Sequence, residues 1–113
     1  MFALLMGLRS ISPTELLRRI DACSATVFDV NSLQSWEQAH VPGALHLDPT
    51  GFSAADLPAD HQALLVFYCS NPMCRKAPGA ARRAKAMGHA DVRVLSAGIS
   101  GWLAAKLPVE AAT

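Results

Sequence analysis

Cys69 and Arg75 are the two residues of this chain whose types and spacing point most directly to chemistry. Cys69 follows the apolar run 64–68, which is typical of a buried parallel strand. The carboxyl ends of such strands are where open α/β sheets usually place their sites. Arg75 follows a short loop and offers a planar fork of donors suited to a sulfur or phosphorus oxyanion. The pattern predicts a nucleophilic cysteine facing a loop that holds an anion.

The segment after Arg75 favours a helix that starts at Lys76 and stops near Gly88, with Pro78 tolerated in its first turn. A loop that ends there lies beside free N–H groups and the positive end of a helix dipole, which stabilise a thiolate or a bound oxyanion. Thiolate is the nucleophilic form of cysteine, and a helix N-terminus with a nearby arginine lowers a cysteine pKa. We therefore expect Cys69 to ionise near neutral pH.

Size and charge restrict the function classes open to the chain. Its 113 residues suit one domain with a real core. A formal net charge of +1 and a charged content of 17% give no bulk reason to expect nucleic acid or a membrane as partner.

The three cysteines, Cys23, Cys69 and Cys74, are too few and too irregular for a secreted disulfide framework. We therefore expect a cytoplasmic protein whose thiols start reduced.

Helical and strand patterns alternate along the chain, which predicts a three-layer α/β domain with helices on both faces of a mostly parallel sheet. A strand near Ile11 would bring the sheet to about five strands. Ser12, Pro13 and Glu15 form a helix-start pattern. Gly98 suggests a close backbone approach before a last helix. The other predicted elements are a strand at 26–30, a short helix at 32–39, an apolar segment at 44–47 and a strand at 91–95.

Three segments together resemble a known family, the single-domain rhodanese-like proteins. The first runs from Phe28-Asp29-Val30 through Trp36-Glu37 to the turn His40–Ala44. The second is Tyr68-Cys69 with Arg75, and the third is Ala97–Trp102. Each string is weak alone, but their order and separation make the combination specific. The resemblance implies a rhodanese-like domain at 10–108, an N-terminal lead-in at 1–9 and a C-terminal tail at 109–113.

The resemblance implies a sulfurtransferase of the thiosulfate sulfurtransferase type. The catalytic cysteine, carried over to Cys69, would accept a sulfane sulfur as a persulfide and pass it to a thiophilic acceptor, while Arg75 holds the anion. The implied partners are a small anionic sulfur donor and a thiol or protein sulfur acceptor, with no cofactor. The loop residues expected to bind substrate are Ser70, Asn71, Met73, Cys74 and Lys76. The spacing of Cys69 and Cys74 does not fit a structural zinc pair, so no metal is expected.

Two alternatives remain open. Five residues separate Cys69 from Arg75, whereas sulfurtransferases of the family commonly have four, and the longer loop resembles related phosphatases and arsenate reductases. The loop nevertheless lacks an Asp or Glu that could protonate a leaving group, Lys76 replaces a common hydroxyl residue, and Pro72 removes a backbone donor. The second alternative is a sulfur-relay or binding module without its own catalysis.

Cys74 has a second expected role besides substrate binding. It could attack a persulfide or a sulfenic acid on Cys69 and form an internal disulfide, which would make it a redox-resolving residue. The alternative is a small side chain that fills space in the loop.

Asp29 and His40 are expected to pin loops near the sheet edge rather than to take part in catalysis. The apolar stretch 2–8 is too short to cross a bilayer and lacks a preceding basic region, so we expect it to pack on the domain or remain disordered.

Overall fold

Five strands and four helices alternate along residues 8–112, the part of the chain that the computed structural model describes. The strands are β1 (Arg9–Ser10), β2 (Thr26–Asp29), β3 (Leu45–His46), β4 (Leu64–Tyr68) and β5 (Asp91–Val94). The helices are α1 (Pro13–Asp21), α2 (Leu33–Gln38), α3 (Lys76–Ala86) and α4 (Gly98–Ala104), with one 3₁₀ turn at Ala54–Asp56. Each predicted helix and strand is present, with bounds within two residues of those predicted.

The strands form one sheet in the order β1-β5-β4-β2-β3, and every pairing between them is parallel. This arrangement confirms the predicted α/β fold. β4 lies in the middle, and all five of its residues are buried. A central parallel strand is covered on both faces, which explains why its sequence is a continuous apolar run rather than an alternating one. The predicted nucleophile therefore follows the most protected strand of the sheet.

Alternate residues of β4 belong to two different buried clusters. Leu65 and Phe67, followed by Cys69, lie in the cluster that contains the buried alanines of α3. Leu64, Val66 and Tyr68 lie in the cluster that contains Leu16 of α1 and Trp102 of α4. Because successive side chains of a strand point to opposite faces, this parity assigns Cys69 to the face that α3 covers. The buried alanines of that helix are Ala77, Ala80, Ala81 and Ala84.

The helix ends follow the expected local signals. The Ser12 hydroxyl accepts a hydrogen bond from the Glu15 N–H at 3.2 Å, and the Ser32 hydroxyl accepts one from the Ser35 N–H at 3.2 Å. Each satisfies a donor that the first turn of its helix leaves free. Past the end of α3, Gly88 has a φ of +105°, a conformation that glycine adopts without a steric penalty. Capping thus sets where α1 and α2 begin, and a glycine follows the end of α3.

The contacts of the domain extend beyond residues 10–108. Leu8 is buried, and Arg9 begins β1. Towards the other end, the N–H of His40 donates to the Glu110 carbonyl at 2.8 Å, and the N–H of Glu110 donates back at 2.9 Å. Residues 2–7 of the apolar lead-in lie outside the described residues. Within residues 8–112 no helix has the length and apolar character needed to cross a membrane.

Candidate active site

The carboxyl ends of four strands meet at one edge of the sheet because all of the strands are parallel. Cys69 follows β4 at the centre of this edge, Asn31 follows β2, Asp48 follows β3 and Gly98 follows β5. Cys69 is 3% exposed. The site therefore consists of a buried central cysteine surrounded by the loops that leave the neighbouring strands.

Cys69 is joined to Cys74 by a disulfide, with 6.4 Å between their Cα atoms. Cys74 is partly buried and packs against the same cluster as Cys69. It lies two residues before Lys76, the first residue of α3. Both sulfurs are thus held between the end of the central strand and the start of the helix that covers its face. The third cysteine, Cys23, is exposed and free.

The loop between the two cysteines turns around Asn71. Its side-chain oxygen accepts a hydrogen bond from the Met73 N–H at 2.9 Å, and its carbonyl accepts one from the Cys74 N–H at 3.1 Å. Pro72 has no N–H to donate. Three of the five loop positions therefore have a backbone donor that is either missing or already used within the loop. In this closed form the loop cannot present a full set of N–H groups to a tetrahedral oxyanion.

The loop is also held by its neighbours across the sheet edge. The Ser70 hydroxyl donates to the side-chain oxygen of Asn31 at 2.8 Å. From the first turn of α4, the N–H of Ile99 donates to the Cys69 carbonyl at 2.9 Å, and the N–H of Ser100 donates to the Ser70 carbonyl at 3.0 Å. These bonds fix the backbone on the amino-terminal side of the loop while the disulfide fixes the carboxyl-terminal side.

Gly98 makes the approach of α4 to the loop sterically feasible. Its φ is +67°, and a Cβ at this position would lie 2.6 Å from the Asn71 nitrogen and 2.6 Å from the Ser70 carbonyl carbon. Only glycine provides both the conformation and the space. The close backbone approach expected from the sequence is present, and the cysteine loop is the segment that Gly98 approaches.

Asp29 and Tyr68 form a buried polar pair beneath the site. The Tyr68 hydroxyl donates to the Asp29 carboxylate at 2.6 Å and accepts from the Val41 N–H at 3.0 Å. The other carboxylate oxygen of Asp29 accepts from the Asn31 N–H at 2.8 Å. Burial, then the hydrogen bond to the carboxylate and its charge, raise the pKa of Tyr68, so the phenol stays neutral. Asp29 thus has the loop-pinning contacts expected of it.

His40 also makes structural contacts. Its ring stacks on Trp36 with centroids 4.4 Å apart, and its Nδ1 lies 2.6 Å from the Trp36 carbonyl oxygen. The indole N–H of Trp36 donates to the Ala44 carbonyl at 2.8 Å. These contacts close the turn after α2, as the sequence interpretation anticipated.

A basic groove of about 320 Å³ runs beside the cysteine loop along the start of α3. Its lining includes three cations, Arg75, Lys76 and Arg83, beside uncharged residues of α3 and of the loop after β3. A second groove of about 400 Å³ shares Lys76 with the first and continues to Asn31 and His46. Arg75 and Lys76 are exposed. These cations place positive charge at the start of α3, directly after the cysteine loop in the chain, which favours the approach of a small anion.

Arg83 is held in place rather than freely solvated. Its guanidinium donates to the Pro49 carbonyl at 2.8 Å and lies 5.8 Å from the centroid of the Phe52 ring. Both contacts connect α3 to the loop after β3. Neither Arg83 nor Asn31 is among the site residues predicted from the sequence. The position of Asn31 directly after a strand was an available signal, but nothing local to Arg83 indicates its distant partners.

The structure brings most of the predicted site residues together. Cys69, Ser70, Asn71 and Cys74 form the closed loop, while Met73 lies at its tip with 64% of its surface exposed. The Ser70 and Asn71 side chains bond to protein groups that hold the loop. Arg75 and Lys76 line the basic groove. Within residues 8–112 no three His, Cys, Asp or Glu side chains are grouped to hold a metal ion.

Comparison with known proteins adds an independent observation. A family model described as a rhodanese-like domain matches residues 12–105 of the chain. An HTH-type transcriptional regulator of Mycobacterium tuberculosis is 34% identical over 103 residues, which cover 89% of this chain and 44% of the regulator. The chain therefore spans less than half the length of this curated relative.

Two solved structures illustrate the range of proteins that share the fold. The thiosulfate sulfurtransferase of Pseudomonas aeruginosa matches with a TM-score of 0.84 and 18% identity, over 98% of this chain and 22% of that one. A Rhodopseudomonas palustris protein of unknown function, named a possible tyrosine phosphatase, matches with a TM-score of 0.73 and 20% identity, over 92% and 86%. Matches at such low identity establish the fold and leave the reaction to be argued from the site.

Proposed function

The chain belongs to the family of rhodanese-like domains, and we propose that it acts as a sulfurtransferase with Cys69 as its sulfur carrier. The Cys69 thiolate attacks the outer sulfur of thiosulfate, or the sulfane sulfur of a persulfide donor. With thiosulfate, the sulfur–sulfur bond of the donor breaks, sulfite leaves with the electron pair, and a persulfide remains on Cys69. An acceptor thiol, a protein cysteine or cyanide then removes the sulfane sulfur and regenerates the thiolate.

One observation carries this proposal: the central strand delivers Cys69 to the carboxyl edge of the sheet, on the face where α3 begins. The start of an eleven-residue helix favours negative charge on a nearby sulfur. A persulfide is also anionic at neutral pH, so the same position suits both the resting nucleophile and the loaded intermediate.

Arg75 and Lys76 receive the anionic donor in this proposal. Both are exposed and line the basic groove beside the loop. Ser70 and Asn71 support the reaction indirectly: the Ser70 hydroxyl ties the loop to Asn31, and the Asn71 side chain shapes the loop by accepting from the Met73 N–H. Met73, exposed at the loop tip, lies where a docking acceptor would touch the protein.

The test is sulfur uptake by the fully reduced protein from thiosulfate. We expect sulfite release from the wild-type chain, and we expect Cys69→Ser to release none. Arg75→Gln should raise KM for thiosulfate, and increasing salt should weaken thiosulfate binding in the wild type more than in this variant. Cys23→Ser is the matched control, because Cys23 is exposed and lies outside the loop. Sulfite release that survives Cys69→Ser would disprove the role given to Cys69.

A second candidate is an oxyanion enzyme, a phosphatase or an arsenate reductase. The five-residue spacing between Cys69 and Arg75 favours it. Pro72, which has no N–H to donate, and the lack of an Asp or Glu in the loop that could protonate a leaving group oppose it. Hydrolysis of an aryl phosphate that requires Cys69, without sulfur uptake, would favour this candidate. Sulfur uptake only from a docked protein donor would instead indicate a relay module.

A further inference from the structure

The disulfide between Cys69 and Cys74 links the predicted nucleophile to a second thiol in its own loop. Their Cα separation of 6.4 Å lies within the usual range for disulfides. Cys69 sits at the end of β4 with its carbonyl bonded to Ile99, and Cys74 sits just before α3. The sulfur of Cys74 therefore reaches the sulfur of Cys69 within the folded domain.

We propose that Cys74 resolves the Cys69 persulfide and releases hydrogen sulfide, which makes the domain a thiol-dependent sulfide-forming enzyme as well as a sulfur carrier. This inference rests on the proposed function, because it needs a persulfide on Cys69. The Cys74 thiolate attacks the Cys69 sulfur, and a bond forms between the two. The bond from the Cys69 sulfur to the sulfane sulfur breaks, and the sulfane sulfur leaves with the electron pair, taking up one proton to become hydrosulfide. That proton is the one Cys74 loses when it becomes a thiolate, passed through solvent, so the step neither consumes nor releases a proton overall.

The electrons of this step balance without an external oxidant. The sulfane sulfur is reduced to sulfide, while the two cysteine sulfurs are oxidised to the disulfide seen in the structure. A sulfenic acid route to the same disulfide would need a peroxide or a comparable oxidant. The persulfide route needs only the sulfur donor that the proposed function already supplies.

The disulfide is reset by a thiol reductant, either a small thiol or a dithiol protein. Cys69 is 3% exposed, whereas Cys74 is only partly buried, so the incoming thiolate attacks the Cys74 sulfur. That attack expels Cys69 as a thiolate, ready for the next donor, and a second thiol frees Cys74. With thiosulfate as donor the full cycle converts one thiosulfate and two thiols into sulfite, hydrogen sulfide and one disulfide.

Cys74 thereby gives the persulfide two possible fates. An acceptor that reaches Cys69 first takes the sulfur, and otherwise Cys74 discharges it as sulfide. The closed loop that results has its Met73 and Cys74 N–H groups bonded to Asn71 and its nucleophile blocked. The domain then takes up no further sulfur until a thiol reduces it.

A single-turnover experiment tests the inference. The wild-type protein is reduced, freed of reductant under anaerobic conditions and mixed with thiosulfate. Sulfite, trapped sulfide and intact mass are then measured together. We expect one equivalent each of sulfite and sulfide, no retained sulfur adduct, and a mass two hydrogens lower. Cys74→Ser should release sulfite but no sulfide, and it should keep the adduct. Cys23→Ser should behave as the wild type.

The outcomes separate the two claims. Wild-type protein that releases sulfite and keeps its sulfur adduct without sulfide overturns the role of Cys74 and leaves the sulfurtransferase proposal intact. Absence of both sulfite and adduct overturns the sulfurtransferase proposal and this inference with it. The wild-type measurement decides by itself, so the result does not depend on whether Cys74→Ser folds. Cys74→Ala provides a second variant for the retained adduct.

Discussion

Gly98 is the residue at which one added carbon atom should most disturb the cysteine loop. A Cβ at this position would meet the backbone of Ser70 and Asn71 at 2.6 Å, and its φ of +67° disfavours any side chain. We expect Gly98→Ala to lower the free energy of unfolding by about 1–3 kcal/mol from backbone strain alone, and by more if the steric contact is not relieved. We also expect it to slow sulfur uptake, because the loop must move away from α4. Chemical unfolding and sulfite release measure the two effects.

Gly79 provides the matched control for that substitution. It lies inside α3, and a Cβ at this position would meet no atom within 4 Å. Gly79→Ala should raise the free energy of unfolding by about 0.5–1 kcal/mol, because alanine loses less conformational entropy in a helix. Equal effects of the two substitutions would show that the tight contact at Gly98 does not position the loop.

At the scale of elements, the buried pair of Tyr68 and Asp29 joins the ends of two strands to the loops around the site. Tyr68→Phe removes the hydroxyl that donates to Asp29 at 2.6 Å and accepts from Val41 at 3.0 Å. Both partners are buried. We expect the free energy of unfolding to fall by about 1–3 kcal/mol, because a carboxylate oxygen and an N–H lose their partner. Urea unfolding followed by circular dichroism measures the change.

An exposed hydroxyl pair serves as the comparison for Tyr68→Phe. Ser10 and Ser96 lie 2.8 Å apart through their hydroxyl oxygens in an exposed contact. Ser10→Ala should change the free energy of unfolding by less than about 0.5 kcal/mol, because water replaces the lost partner. A Tyr68→Phe effect as small as this would mean that Asp29 finds another donor or water.

The sequence predicts each helix and strand, though not the 3₁₀ turn, because the signals for them are local. The apolar run 64–68, the Ser12 cap and Gly98 need no knowledge of distant residues. The sequence also shows that alternate side chains of β4 point to opposite faces of the sheet. It does not show which helix covers the face of Cys69, because that depends on the order of the strands. Asn31 reaches Ser70 across 39 positions, and Arg83 reaches Pro49 across 34. Such contacts arise when distant segments pack together. The sequence therefore predicts the cysteine loop but not the distant residues that hold the loop and its surroundings in place.

At the scale of the whole molecule, two buried clusters on opposite faces of the sheet hold the domain together. The disulfide lies at one edge of one cluster and closes a loop with a sequence separation of only 5. A cross-link over so short a loop removes little conformational entropy from the unfolded chain. In the chain-entropy model the resulting stabilisation of the fold is about 2 kcal/mol. The two clusters do not depend on the disulfide, so the fold should persist when it is reduced.

We therefore expect reduction to lower the Tm of the wild-type domain by roughly 8 °C without unfolding it at room temperature. The resolving role proposed for Cys74 requires this margin, because the loop would cycle between disulfide and dithiol while the sheet that positions Cys69 stays intact. Calorimetry with and without reductant measures the shift. Cys74→Ser should melt at one temperature under both conditions, whereas Cys23→Ser should keep the wild-type difference because Cys23 is free. A domain that unfolds at room temperature on reduction would make the disulfide a structural staple, which is incompatible with a resolving thiol that must be reduced in every cycle.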